Sequence, residues 1–187
     1  MLDLPALYAE CAPVIHPITA AAVVRVESGG QPFAVNVNRL AGPQPRPKSL
    51  DEAVQIAEAY IAAGYRVDLG LGQITDRNLP ALGLTVRQVL DPCANLRAMQ
   101  AILVEGYRRA VRSHGAGQSA LLVALSTYNT GNQRSGFANG YVARYTGQVV
   151  PALEHGTVAS TQSRQPRMTR PFNPYTAETS VAWRLED

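Results

Sequence analysis

The sequence has little of what announces many functions. It holds two cysteines, three histidines, three phenylalanines and one tryptophan in 187 residues. None of the Cys and His residues stand at metal-ligand spacing, so neither a metal nor another cofactor is expected. No apolar run reaches transmembrane length, which argues against a spanning segment. Charged residues make up only 17% and the net charge is +3. Such a mild positive field suits an anionic polymer. The basic residues do not cluster with interleaved aromatics, which argues against a nucleic-acid partner. The tightest basic group, Arg108, Arg109, Arg112 and His114, falls late in an expected helix, where cations complement the helix dipole. Internal repeats are absent. The chain opens Met1-Leu2-Asp3-Leu4-Pro5, without the basic start and apolar run of a secretory signal. The expectation is therefore a mature or trimmed form, or export by another route.

What is present is mostly helical. Hydrophobic residues reach 46%, enough for an ordinary core, and there are eight tyrosines, whose flat faces and hydroxyls suit sugar rings. A first helix is expected from about Leu4 to Cys11, closed by Ala12-Pro13. A second starts near Pro17, runs through an almost wholly apolar stretch that should be buried, and stops at Gly29-Gly30. Residues 34–48, with Gly42-Pro43-Gln44-Pro45-Arg46-Pro47, read as irregular. Ser49 and Glu52 have capping-box spacing for a helix to about Ala63, stopped by Gly64. Residues 67–74 read as a tight buried turn. Thr85 and Gln88 form a second capping box. Asp91-Pro92 caps the longest helix, which runs to about His114 and ends at Gly115. An apolar helix follows over about 119–127, and a last one is expected to start near Asn139-Gly140 and continue through Tyr145. Residues 157–170 shift to Ser, Thr, Gln, Arg and Pro, the composition of a flexible tail. The reading is a mainly all-α fold with a short hairpin around 65–75, as one domain over 1–155 and a tail over 156–187.

Three motifs carry chemistry. In Val26-Glu27-Ser28-Gly29-Gly30 a carboxylate sits in the last turn of an apolar helix. The negative end of the helix dipole and burial both disfavour its ionisation, and a carboxyl kept protonated near neutral pH is what a general acid needs. A surface Glu at a frayed helix end explains this motif equally well. In Asp68-Leu69-Gly70-Leu71-Gly72-Gln73-Ile74 the glycines permit close backbone approach to a ligand, and Gln73 both donates and accepts, as sugar hydroxyl and acetamido groups require. A glycine-bearing hairpin with a surface Gln is the plainer reading. No Lys-Ser/Thr follows, so this is not a phosphate loop. Ser126-Thr127-Tyr128-Asn129-Thr130-Gly131-Asn132 ends the apolar helix; a C-cap accounts for Gly131 but not for Tyr128 and Asn129 together.

In this order, Glu27-Ser28-Gly29-Gly30, Gly70-Leu71-Gly72-Gln73-Ile74 and Ala124-Leu125-Ser126-Thr127-Tyr128-Asn129-Thr130-Gly131 resemble lytic transglycosylases with a goose-type-lysozyme-like fold. The subgroup that accompanies type IV secretion and conjugation systems is the nearest match. Asp91-Pro92 before a long helix and Gly140-Tyr141-Val142 resemble it too, over roughly residues 8–150. The resemblance implies that Glu27 is the catalytic acid and base and that Ser28 helps place the substrate. It implies that Gln73, Tyr128 and Asn129 line the groove and that Tyr141 hydrogen-bonds the catalytic Glu. Gly72 stands where the family commonly has Met, a variant the secretion subgroup shares.

That family reading implies scission of the β-1,4 bond after N-acetylmuramic acid, with a 1,6-anhydro sugar as product and no metal. It places the chain in the periplasm, acting as a monomer on peptidoglycan strands, with the tail from about Thr157 as a candidate contact for secretion-channel subunits. Glycosidases normally use two carboxylates. If Asp68 faced the groove and activated water, the chain would be a lysozyme-type hydrolase. A glycan-binding assembly factor without turnover is the third reading, against which Glu27 argues. Cys11 and Cys93, each at a helix end beside Pro, are expected to form a disulfide in that compartment, two buried thiols being the alternative.

Overall fold

The computed structural model describes residues 2–147. The expected tail and the boundary at 155 lie outside these residues. Within them the chain divides between Ala101 and Ile102 into two compact units.

The first unit opens with α1 (Leu4–Cys11), whose Asp3 carboxylate accepts from Ala6 N at 3.2 Å. It packs against α2 (Pro17–Ser28), which carries Pro17 at its first position. Pro is preset for that place, since a first-turn N–H has no helical partner to lose. His16 caps the same end through its Nδ1, which accepts from Ile18 N at 3.2 Å. Gly29 closes α2 at φ +62, a left-handed cap. The apolar composition suggests a wholly buried helix, but only one face is inside. Thr19, Ala20, Ala22, Val23 and Val24 are buried, whereas Ile18 is 42% exposed. Ile18 and Arg25 stand seven residues apart, two turns along the exposed face.

The region expected to be irregular holds a strand. β1 (Val35–Val37), β2 (Val67–Leu69) and β3 (Ile74–Thr75) form an antiparallel sheet in that order. The short hairpin thus has a third strand, with Val35 opposite Leu69 and Asp68 opposite Thr75. The outer edge of β1 is closed from within the Pro-rich loop. The Gln44 amide accepts from Val37 N at 2.7 Å and donates to Val37 O at 3.1 Å. One side chain thereby substitutes for a neighbouring strand at an edge that invites pairing.

The inward strand residues, Val35, Val37, Val67, Leu69 and Ile74, are all buried. α3 (Leu50–Ala62) packs against β1 and β2 through a stripe of Ala53, Val54 and Ala57. Its Ser49 cap accepts from Glu52 N at 3.2 Å. Glu52 bonds back to Lys48 N rather than to the cap residue itself, at 2.7 Å. After β3 come a 3-10 turn (Asp76–Asn78), α4 (Leu79–Leu82) and α5 (Val86–Val89). The Thr85–Gln88 capping box is complete in both directions.

The division between the units falls inside α6 (Pro92–His114). Asp91 accepts from Ala94 N at 2.8 Å to start it. Leu96 and Met99 are buried in its first part, and Leu103, Val104, Tyr107 and Ala110 in its second. In the second unit α7 (Gln118–Thr130) approaches α6 at Gly106, where an added Cβ would lie 3.5 Å from Ala124 O. α7 begins one residue before, and ends three after, its expected limits. α8 (Ser135–Ala138) packs on α7, and α9 (Ala143–Thr146) follows. Asn139-Gly140 therefore ends one short helix instead of starting a longer one. Gly140 has φ +79, which breaks helical continuation between them.

Candidate active site

In the first unit Glu27 occupies the last turn of α2 and is half-buried, with Ser28 after it as the final helical residue. The turn that follows is fixed by Ser28. Its hydroxyl donates to Val24 O and accepts from Gly30 N, both at 3.2 Å. Its carbonyl accepts from Gln31 N at 3.2 Å. Ser28 thus spends its side chain on the backbone that holds Glu27 at a helix end.

The chain then runs through Ala34 into β1, where the second motif meets it. Ala34 O accepts from Gly70 N at 2.8 Å and lies 3.4 Å from Gln73 Nε2. Gln73 has φ +50, a left-handed conformation uncommon for a residue with a Cβ. Its amide nitrogen donates to Gly70 O at 2.9 Å. Gln73, expected to line a groove, thus also braces its own turn.

Asp68 sits in the middle of β2 on the face opposite the core, between Asn36 and Thr75. Its Oδ2 accepts from Asn38 at 2.9 Å and from Asn36 at 3.3 Å. Burial pushes its carboxyl above the ordinary 3.8. Bonds from Asn38, Asn36 and Thr75 pull the other way, and the charge of Asp76 adds to the rise.

The residue that composition did not single out is Asn95, the fourth residue of α6. It is 1% exposed. Its Nδ2 donates to Leu69 O at 2.9 Å and to Val89 O at 2.7 Å, and its Oδ1 accepts from Gly72 N at 2.7 Å. The available signal was a weak helix former placed early in the longest helix. Two residues before it, Cys93 is joined to Cys11 by an S–S bond of 2.04 Å.

In the second unit Tyr128 and Asn129 lie in the last turn of α7, ahead of Gly131 at φ +76. Asn129 Oδ1 accepts from Asn139 Nδ2 at 3.0 Å, and Asn139 Oδ1 accepts from Tyr141 N at 2.9 Å. Two motif residues, Asn129 and Tyr141, are therefore linked through Asn139. The Tyr141 and Tyr145 hydroxyls are 2.6 Å apart, both rings are buried, and the Arg144 guanidinium lies 6.0 Å from the Tyr141 ring centre. Ser126, fully buried, anchors the turn after α7: its hydroxyl donates to Asn132 O and accepts from Gly136 N, each at 3.0 Å.

A carboxyl at a helix end, a glycine-braced turn with an amide, and a Tyr-Asn pair at a second helix end all stand within the stretch that one family model matches. Residues 5–150 match the transglycosylase SLT domain, and the chain belongs to that family. The chain is 43% identical over 140 residues to the type IV secretion system protein virB1 of Brucella abortus (strain 2308), covering 73% of this chain and 58% of that protein. It is 37% identical over 147 residues to protein virB1 of Agrobacterium fabrum (strain C58), covering 77% of this chain and 59% of the relative. The chain thus spans somewhat under two thirds of the length of these relatives. No solved structure matches it significantly.

Proposed function

We propose that this chain is a peptidoglycan lytic transglycosylase that opens the cell wall locally for a type IV secretion or conjugation apparatus. The observation that carries the reading is Glu27, half-buried in the last turn of α2 before a left-handed glycine, inside the region matched to the SLT family. Glu27 gives its proton to the glycosidic oxygen between N-acetylmuramic acid and N-acetylglucosamine as the C1–O bond breaks. The resulting carboxylate then takes the proton of the C6 hydroxyl, whose oxygen bonds to C1. The proton count closes on Glu27, no water is consumed, and the product is a 1,6-anhydro sugar. Gln73, Tyr128 and Asn129 contact the glycan in this reading, and Ser28 fixes the turn beside the acid.

Asp68 is the only rival base within the three motifs. Its Oδ2 is committed to two asparagine amides of the sheet, which supports a strut rather than a water activator. The periplasm suits the Cys11–Cys93 bridge, since disulfides persist in oxidising compartments. The virB1 names of the relatives support the secretion setting. The test is mass spectrometry of muropeptides released from purified sacculi. The wild-type chain should release anhydro products, each lighter by one water than a hydrolysed counterpart. Glu27→Gln should release them about two to four orders of magnitude more slowly while keeping its fold. Hydrolysed products would move the assignment to a lysozyme-type enzyme. Wild-type binding to sacculi without release would move it to an assembly factor.

A further inference from the structure

Asn95 is an expensive residue to place where it stands. An amide buried without partners costs several kcal/mol by transfer measures, and Asn is a poor helix former. The cost is offset because three of the four bonds the side chain can make are made, and all three reach backbone outside its own helix. Two of them bracket the turn of the second motif: the carbonyl of Leu69 enters it and the N–H of Gly72 leaves it. The third holds the end of α5 at Val89.

Gly70 completes the fit. It has φ +74, and a Cβ there would overlap the Asn95 amide nitrogen and come within 2.9 Å of its Cγ. The turn is thus shaped around this side chain and not merely near it. The next residue after the bracket is Gln73, held left-handed at φ +50. Such a conformation persists only where the surroundings over-determine it, and strain of this kind concentrates at functional sites.

We infer that Asn95 is a positioning residue for glycan binding: by bracketing the turn at residues 70–72 it fixes the left-handed Gln73, whose amide meets the acetamido or hydroxyl groups of the strand. The inference rests on the transglycosylase reading above. Asn95 itself touches no substrate. Its effect should therefore run through Gln73 and through binding, leaving the proton chemistry of Glu27 alone.

The test uses the full chain and soluble, uncrosslinked glycan strands. Asn95→Ala should raise KM about tenfold, the loss expected for one hydrogen bond to a sugar, and leave the pH profile of kcat in place. Amide exchange at Gly72 should quicken in the same variant. Gln73→Ala should raise KM similarly, and Asn95→Ala added to it should raise KM little further, because coupled residues are not additive. A purely structural role would instead lower the folded fraction and the apparent kcat at unchanged KM, and would overturn the inference. So would additive KM effects. If Asn95→Ala does not fold, Asn95→Ser, which keeps a neutral group able to donate and accept, is measured in its place with the same outcomes. A wild-type chain that releases nothing from sacculi sinks the enzyme reading itself, which distinguishes that failure from this one.

Discussion

In the first unit the amide of Asn95 lies against Gly70; in the second the buried Ser126 lies against Gly136, where an added Cβ would meet Ser126 Cα at 2.5 Å. Both contacts put a polar side chain where only glycine leaves room, and both side chains bond the backbone of the segment they hold. They differ in reach. Asn95 spans 23 residues back to Gly72, while Ser126 spans 10 forward to Gly136. They differ in backbone as well. Gly70 is left-handed at φ +74, whereas Gly136 sits within the short helix α8. The long tie depends on where two distant pieces of chain are placed. The short one is secured almost locally.

The largest expected effect comes from breaking the covalent link that anchors the long tie. Cys11 and Cys93 are 82 residues apart, and the chain-entropy model gives about 4 to 5 kcal/mol for such a loop. Reduction, or Cys11→Ser with Cys93→Ser, should lower the urea midpoint accordingly. Amide exchange should quicken around residues 70–73 more than around residues 126–136. Equal quickening in both would show that the bridge does not serve the first tie in particular.

Next in size is a paired alanine substitution. Gly70→Ala meets both the left-handed backbone and the Asn95 amide, and should cost about 2 to 4 kcal/mol. Gly136→Ala meets only the crowding against Ser126, and should cost about 1 to 3 kcal/mol. Urea unfolding of the two variants tests the order; Gly136→Ala as the more damaging would reverse the comparison.

The smallest effect is expected at Asp68. Burial raises its carboxyl in the folded chain, with Asp76 adding to the rise and Asn38, Asn36 and Thr75 opposing it. A raised acid holds its proton more tightly folded than unfolded. Its contribution is therefore complete below the unfolded value and is lost as pH rises through the folded one. Asp68→Asn should gain stability relative to the wild type as pH rises from the acid range through that raised value, and should still yield anhydro products. A variant that loses turnover as fully as Glu27→Gln, while folded, would make Asp68 a catalytic base.

The sequence by itself determined the helix punctuation: Pro17 at a helix start, Gly29 at its end, the Thr85–Gln88 box, Asp91-Pro92 before α6 and Gly131 after α7. These signals are legible because each is made by residues within about one turn of one another. It also placed Glu27, Tyr128 and Asn129 at helix ends and Gln73 in a glycine-bearing turn, since composition and punctuation together locate such places. Only the tertiary structure decided which residues hold those ends. The pairing of Gln44 with Val37, the bracket of Asn95 around the turn at residues 70–72, and the closing of Asn129 onto Asn139 each join side chains to partners 7 to 26 residues away. No local preference encodes such pairs. Asn95 is a poor helix former by propensity, and it stands in α6 because the carbonyls and the N–H it satisfies are brought to it by the fold. For the same reason the strand at Val35–Val37 was hidden in a stretch that read as irregular: its hydrogen-bond partners lie in β2 and in a glutamine of the Pro-rich loop.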